Sequence, residues 1–420
     1  MTVSTLSATS LWRDRRFRTF WSAQGVSEFG DRITELALPL IAVTMLNASP
    51  SQVGFLTAAV WLPNLASLFI GTWVDHRRDK RPLMIAADLS RTVLLLSLPA
   101  AYWLDLLTLG QLYVIAILAG TAHVMFNTAY ASFFVALVDR DQFLEANSKL
   151  SATRSISFMG GPALGGLLVQ WLTAPVAIVV DALTFTFSAL QISRIKMIPA
   201  ASDQTAEPLL RRARAGMRYL LRHPYLRRSL ACSTTVNFFN LISTALLVLF
   251  ASRELELSAG TIGIAFGIGA AGGLLGAVSA SPLSRIFGVG PLIAAGAVVF
   301  PGAIAIAAFA DGPTWVKATA LAAAEFVGAF AVMCFDIPNN SLQAAVTHDY
   351  MRSRVSGAYS TINYGIRPLG AVVGGLLGTW IGVRATLLVS AAGGLLAVLW
   401  LVGSPNIRTR ELDGLEPPEF

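Results

Sequence analysis

Charge is scarce in this chain: Asp, Glu, Lys and Arg make up 13% of 420 residues, while 55% are hydrophobic. A water-soluble globule of this size cannot cover its surface with so few charges, so a soluble fold is excluded and repeated membrane crossing is expected. Cysteine is scarcer still: Cys232 and Cys334 stand at no spacing that suits a metal site, and neither is assigned a role. There is no His/Asp cluster at metal-ligand spacing and no nucleophile motif, so no enzyme, metal or cofactor is expected. No glycine-rich loop runs into Lys-Ser or Lys-Thr, which argues against ATP as an energy source. The first oily stretch is too long for a cleavable signal and follows a basic run, so none is expected.

What is present is long apolar helix. A membrane-crossing helix needs roughly 20 mostly apolar residues, and twelve segments qualify: 18–46, 50–74, 83–103, 109–137, 149–171 and 174–195, then 229–251, 259–282, 289–310, 314–340, 355–380 and 383–403. The expected fold class is an all-α membrane protein of twelve transmembrane helices in two six-helix bundles, 18–195 and 229–403. Tails 1–17 and 404–420 flank them, and a basic linker, 196–228, joins them. Within the linker an amphipathic helix is expected over Leu209 to Leu221. Lys and Arg are nearly missing from alternate loops, where only Arg253, Lys317 and Arg384 occur; the tails, the linker and the other loops carry the rest. Positive charge stays on the cytoplasmic side, which places both termini there, in a multi-pass protein of the cell membrane. The net charge of +7 is then a topology signal and an attraction to the lipid bilayer, not a sign of nucleic-acid binding.

The two halves repeat. FNTAYASFFVAL near the fourth segment matches FDIPNNSLQAAV near the tenth, with Phe126 on Phe335, Ser132 on Ser341 and Ala136 on Ala345, an offset of 335 − 126 = 209. Without a gap, the same offset carries Gly161 to Gly370, Gly165-Gly166 to Gly374-Gly375, Arg13 to Arg222, Phe29 to Phe238 and Gly54 to Gly263. It carries Glu28 to Asn237 and Asp31 to Asn240. One ungapped register across nearly a whole half indicates duplication, and two like-oriented halves suit a transporter that rocks them around a site near the midplane.

GTWVDHRRDKR, Gly71 to Arg81, resembles the loop signature between the second and third helices of the major facilitator superfamily. The chain is similar in particular to its drug-exporter and transmembrane secretion-effector branch, which includes macrolide, multidrug and siderophore exporters. The resemblance implies a cytoplasmic gate at Gly71, Asp75, Arg77, Lys80 and Arg81, with His76 standing where a base is usual. AADLSR also resembles this branch, which adds Asp88 and Arg91 to the expected gate; one turn apart, they can pair on one helix face. GGPALGG resembles the core of a fifth-helix antiporter motif, with Gly161-Pro162 and Gly165-Gly166, although Ser157 stands where an upstream Gly is expected.

The segment GVSEFGDRITELALPL places Glu28, Asp31, Arg32 and Glu35 on one helical face inside the first segment. Facing lipid, a charge there would cost about 3 kcal/mol or more, so the stripe should face protein or water. Arg32 is spaced to neutralise Glu28 and Glu35, which leaves Asp31 the least compensated acid. The resemblance brings the first, fourth, seventh and tenth helices around one cavity, adding His123, Asn127, Asn237, Asn240, Glu325 and Asp336. Glu28, Asp31, Glu35, Glu325 and Asp336, with Arg32, are candidates for proton coupling. Trp61, Phe126, Tyr130, Phe238, Phe239 and Tyr364 could give apolar substrate contact. Arg154 and Asp181 could pair or serve the cavity, and Arg367 is equally open. The expectation is a proton-coupled exporter of small amphiphilic compounds such as drugs, acting as a monomer by alternating access. The alternatives are an exporter dedicated to one metabolite such as a siderophore, and a non-transporting membrane sensor.

Overall fold

The computed structural model describes residues 11–139, 142–195, 209–412 and 415; Arg140, the first part of the linker (196–208) and the side chain of Asp75 lie outside the described residues. Among the described residues there is helix and no strand. The first half holds α1 (Arg15–Leu40), continued by a π-turn (Ile41–Met45), then α2 (Pro50–Trp61), a 3-10 turn (Leu62–Ala66) and α3 (Ser67–Asp75). It is completed by α4 (Arg81–Trp103), α5 (Leu109–Leu137), α6 (Phe143–Leu172) and α7 (Ala174–Ser193). The linker helix α8 (Leu209–Arg222) leads into α9 (Pro224–Arg253), α10 (Ala259–Phe287), α11 (Val289–Gly302), α12 (Ile304–Ala308) and α13 (Thr314–Ala345). Then come α14 (Arg352–Gly365), α15 (Arg367–Trp380), α16 (Val383–Leu395) with a 3-10 extension (Leu396–Trp400), and the short α17 (Pro405–Arg408). These elements form twelve spans in two pseudo-symmetric bundles.

Eight spans are helices long and apolar enough to cross a membrane on those grounds alone. The other four show where function or geometry competes with hydropathy. α1 carries its charged stripe, and the first half of α6 is polar. The second span, expected to be continuous, is interrupted by the 3-10 turn that holds Pro63. The eleventh is interrupted at Ile366, just before Arg367-Pro368. Proline lacks the N–H that would continue the ladder and clashes with the preceding turn. The seventh span begins at Pro224, ahead of the expected 229, because proline suits the first turn of a helix.

The duplication is written into local chemistry as well as outline. Ser49 caps α2 through the Gln52 N–H, and Ser258, 209 positions on, caps α10 through the Thr261 N–H; each satisfies an otherwise unpaired helix-end donor. Asn47 and Glu256 both take positive φ, 48° and 58°, as do Thr173 and Gly382, at 78° and 84°. Asp14 caps α1 by accepting from the Arg16 N–H at 2.7 Å, and its counterpart His223 caps α9.

The cores decide the shape. One cluster gathers the end of α1 (Leu36 to Val43), the start of α2 (Val53, Leu56), the end of α9 (Leu246 to Ala251) and the start of α10 (Ile262, Ala265), so both halves share it. This is the end opposite the termini. At the terminus-bearing end, the first half has its own cluster around Phe17, Phe20 and Phe133, and the second has another around Leu220, Phe335 and Tyr359. The bundles are thus sealed together at the far end and part toward the termini. The far-end cations are used structurally: Arg253 donates to the Val43 carbonyl at 2.8 Å across the halves, and Arg384 to those of Ala308 and Ala310 at 2.9 and 3.1 Å.

The joint between α8 and α9 should be pH-sensitive. His223 Nδ1 accepts from the N–H groups of Tyr225 and Leu226 at 3.2 and 3.4 Å, and protonating that nitrogen removes the acceptor. Burial pushes the ring down to about 4, while an exposed histidine titrates near 6.5. The cap is therefore intact above about pH 6.5, and its contribution falls away as pH drops from there toward 4. Hydrogen exchange in α8 and the first turn of α9, corrected for intrinsic rates, should accelerate over this window. His223→Asn, which keeps a capping acceptor, should flatten the dependence; an unchanged profile in that variant refutes the assignment.

Candidate functional site

Every acid of the α1 stripe has a polar partner, and the partners come from three helices. Asp31 forms an ion pair with Arg91 of α4, whose guanidinium lies 3.6 Å from the centre of the Phe185 ring of α7. Glu28 receives Arg154 of α6 at 3.3 Å and the Gln24 amide at 3.2 Å. Arg32 pairs with Glu35 at 2.7 Å and covers the Phe158 ring at 4.8 Å. Asp181 of α7, fully buried, accepts from the Thr34 hydroxyl and from Thr184 at 3.1 Å. Asp88, 1% exposed, faces the Ser188 hydroxyl outside good hydrogen-bond geometry.

Three expectations are corrected. Asp31 is not the uncompensated acid, because Arg91 reaches it. Asp88 and Arg91 do not pair along α4, since the long guanidinium side chain crosses to α1 instead. Glu28 is matched by Arg154 rather than Arg32, which settles Arg154 on α1 and not on Asp181. Spacing along one helix shows which pairs are allowed but says nothing of a competing partner on the next helix. Asp88 and Asp181 each lie within electrostatic reach of Asp31 and of the guanidinium of Arg91. That excess of negative charge suits a group that takes up a cation or a proton.

The glycines of the antiporter-like motif fit this wall. A Cβ on Gly161 would lie 2.6 Å from the Arg32 Cβ, and one on Gly165 would lie 3.1 Å from the Ile33 Cα, so α6 rides directly on α1. Gly166 faces away, across the bundle boundary, where its Cβ would strike the Gly263 Cα at 2.9 Å. The copy repeats each contact at the same offset: Gly374 meets Ile242, and Gly375 meets Gly54. Pro162 sits inside the unbroken α6.

In the second half the charges are replaced. The Glu28–Arg154 pair becomes an amide pair, Asn237 donating to Asn363 at 3.1 Å, and Asp31 and Arg91 become Asn240 and Phe300. The latter two line a pocket of about 210 Å³ together with Asn237, Asn340, Ser360, Asn363, Tyr364, Asp336 and Arg367. Arg367 donates to Asn237 Oδ1 through Nε and Nη2 at 3.1 and 3.0 Å, and its guanidinium lies over Trp61 and Tyr364 at 4.3 and 4.5 Å. Trp61 belongs to the first half, so this stack bridges the bundles where the crevice begins. Sequence reasoning missed Asn340, Ser360 and Asn363; carrying Arg154 forward by 209 would have found Asn363.

The remaining candidates fall in several places. His123 and Asn127 of α5 hydrogen-bond at 2.8 Å and are solvent-accessible although deep in the molecule, as expected for the wall of an open crevice. Phe126 is 4% exposed in the core of the first half, so its expected substrate contact is corrected. Phe238 packs edge-on against Phe239 at 5.2 Å and does not line the pocket; Phe300 and Phe335 do. Glu325 lies against Gly269 of α10, away from that pocket. At the expected gate, Gly71 faces Thr128 with ordinary clearance, and Arg77 covers the Trp73 ring at 5.0 Å. Lys80 donates to the Val74 and Arg77 carbonyls at 2.7 Å each, and Arg81 to that of Ile195 at 2.9 Å. No metal-ligating cluster occurs among the described residues.

Comparison with known proteins agrees with this architecture. The family model described as transmembrane secretion effector matches residues 6–417. The chain is 27% identical over 402 residues to a Bacillus subtilis protein named as the uncharacterized MFS-type transporter YfiS, covering 93% of each. It is 26% identical over 408 residues to the multidrug efflux pump Tap of Mycolicibacterium fortuitum, covering 93% of this chain and 95% of the other. Among solved structures, the D323A mutant of the nucleoside transporter NupG superposes with a TM-score of 0.73 at 12% identity, over 92% of this chain and 99% of that one.

The two halves offer a direct test of the ion pair. Arg91→Phe alone should destabilise the protein by about 1–3 kcal/mol, because the partly exposed Asp31 loses its partner and the buried guanidinium its place over Phe185. Asp31→Asn/Arg91→Phe installs the residues that the second half carries at the matching positions and should recover most of that loss. Thermal unfolding of the purified protein in detergent reads both; equal losses in the single and double variants would show that the pair does not hold these helices.

Proposed function

The chain belongs to the transmembrane secretion effector family of major facilitator transporters, and on that premise we propose that it is an efflux antiporter. It exchanges inward-moving protons for small amphiphilic solutes, drug-like compounds among them, across the cytoplasmic membrane. In this reading the halves 18–195 and 229–403 rock about their shared boundary, both termini face the cytoplasm, and the chain works as a monomer. The crevice that opens toward the termini is then the inward-facing state, ready to load solute from the cytoplasm.

The observation that carries the proposal is that the first half lines its crevice wall with a paired acid network, while the second half keeps the same glycine contacts without it. Buried ion pairs are weak contributors to stability, and the copy shows that the bundle packs without these. Their retention is better explained by a task that changes charge state. Asp31 is assigned the proton exchange because it is both reachable and coupled inward: its side chain is 31% exposed, and its partner Arg91, 8% exposed, lies between it and the buried Asp88. Protonating Asp31 releases Arg91 toward Asp88, so α1 and α4 gain a second pairing arrangement, the kind of bistable element that alternating access needs. Glu28 and Glu35, with Glu325 and Asp336 in the second half, are the further acids available to the cycle. Two relatives support export: the multidrug efflux pump above, and macrolide efflux protein A of Streptococcus pyogenes, to which the chain is 28% identical over 280 residues, covering 62% of this chain and 66% of the other.

The test is efflux of a fluorescent lipophilic cation from proteoliposomes under an imposed pH gradient. Asp31→Asn should reduce gradient-driven efflux to that of protein-free liposomes, while the variant remains inserted and unfolds as one transition. Undiminished efflux in this variant removes Asp31 from the coupling step, and efflux indifferent to the gradient in the parent protein removes proton coupling altogether.

A further inference from the structure

The second half owns two charges that the first half does not match: 209 positions before Asp336 and Arg367 stand Asn127 and Phe158. Both line the same small pocket, and they feel each other's charge. They are nevertheless not ion-paired with one another, and among the described residues Asp336 has no hydrogen-bond or ion-pair partner of its own. The reason is geometric. Arg367 is tied to Asn237 by two hydrogen bonds and clamped over Trp61 and Tyr364, so it cannot swing to meet the carboxylate on α13. Opposite charges held apart on one pocket wall, Asp336 exposed to the opening and Arg367 half-buried, can each meet a solute group of the opposite sign. The matching bundle packs with an amide and a phenyl ring at these two positions, so the fold does not need them.

We propose that this pocket binds a small zwitterion, a solute with an ammonium and a carboxylate a few bonds apart and an aromatic or apolar remainder. The ammonium is taken by Asp336 and the carboxylate by the Nη1 edge of Arg367, which Asn237 does not occupy. The amides of Asn240 and Asn340, neither used within the protein among the described residues, meet the remaining polar atoms. Phe300 and Val332, both half-buried, supply the apolar side. At about 210 Å³ the space is below the 300–1,000 Å³ usual for drug-sized ligands, so it suits an amino-acid-sized group, either free or as the head of a larger solute lying in the crevice. The proposal names a substrate class for the exporter described above and rests on that reading for the direction of movement.

A ladder of three probes tests it on the purified full chain: phenylalanine, phenethylamine and 3-phenylpropionate, which share a ring and chain and differ in charge. Each is titrated by ligand-induced thermal shift at neutral pH. Phenylalanine should bind at least about tenfold more tightly than either single-charge analogue. Asp336→Asn, at an accessible side chain whose shape is kept, should erase its advantage over 3-phenylpropionate. An amine that binds as tightly as phenylalanine, a ladder unchanged in Asp336→Asn, or no shift with any of the three overturns the proposal. Because the readout is binding, an intact ladder without proton-driven efflux counts against the exporter reading alone. A lost ladder with efflux preserved counts against the zwitterion alone.

Discussion

Two helices can press backbone to backbone only where neither carries a side chain, and the architecture of this protein depends on two such places. Gly166 meets Gly263 and Gly54 meets Gly375, and a Cβ added at Gly54 or Gly166 would lie 2.6 or 2.9 Å from the facing glycine Cα. In a bilayer, where lipid is as apolar as any side chain, close van der Waals contact of this kind is what holds helices together. Both contacts join the halves, and the shared apolar core surrounds them at the same end. The crevice follows as a consequence: sealing at one end leaves two separate cores, and a gap between them, at the other.

The helix that brings Gly166 to one of these contacts, α6, also braces the acid stripe of α1. Gly161 and Gly165 press α6 onto α1 beside Arg32 and Ile33, while Arg154 of that helix holds Glu28. α6 therefore acts as a strut between the bundle boundary and the charged stripe. A shift at the boundary cannot leave the Glu28–Arg154 and Arg32–Glu35 geometry untouched, because interiors this closely packed transmit displacement instead of absorbing it. The bundle boundary and the charged crevice wall are thus joined by shared contacts along one helix.

Duplication makes each half a control for the other. Caps, positive-φ turns and glycine contacts recur at one offset, so they belong to the fold. The charges of the crevice wall do not recur: the first half concentrates paired acids, and the second concentrates amides around Asp336 and Arg367. The stack of Trp61, Arg367 and Tyr364 joins the two inventories, since Trp61 comes from the first half and the other two from the second. Cation–π contacts are worth about 0.5–2 kcal/mol, strong enough to register the boundary and weak enough to be broken in a transport cycle.

Read alone, the amino-acid order determined the membrane class, the twelve spans, the twofold repeat and the helix face on which Glu28, Asp31, Arg32 and Glu35 lie. Each of these follows from hydropathy or period, which are properties of consecutive residues. It also indicated the amphipathic stretch that became α8. Tertiary structure alone decided that Arg91 belongs to Asp31, that Arg154 belongs to Glu28, that Phe126 is core, and that Arg367 is held away from Asp336. Long charged side chains reach several ångströms, so their partners are selected by whichever helix packs alongside, and no spacing within one helix records that choice. The asparagines of the pocket were hidden for a related reason: an uncharged amide barely changes the hydropathy of its span, and its role becomes visible only when helices distant in sequence bring several together.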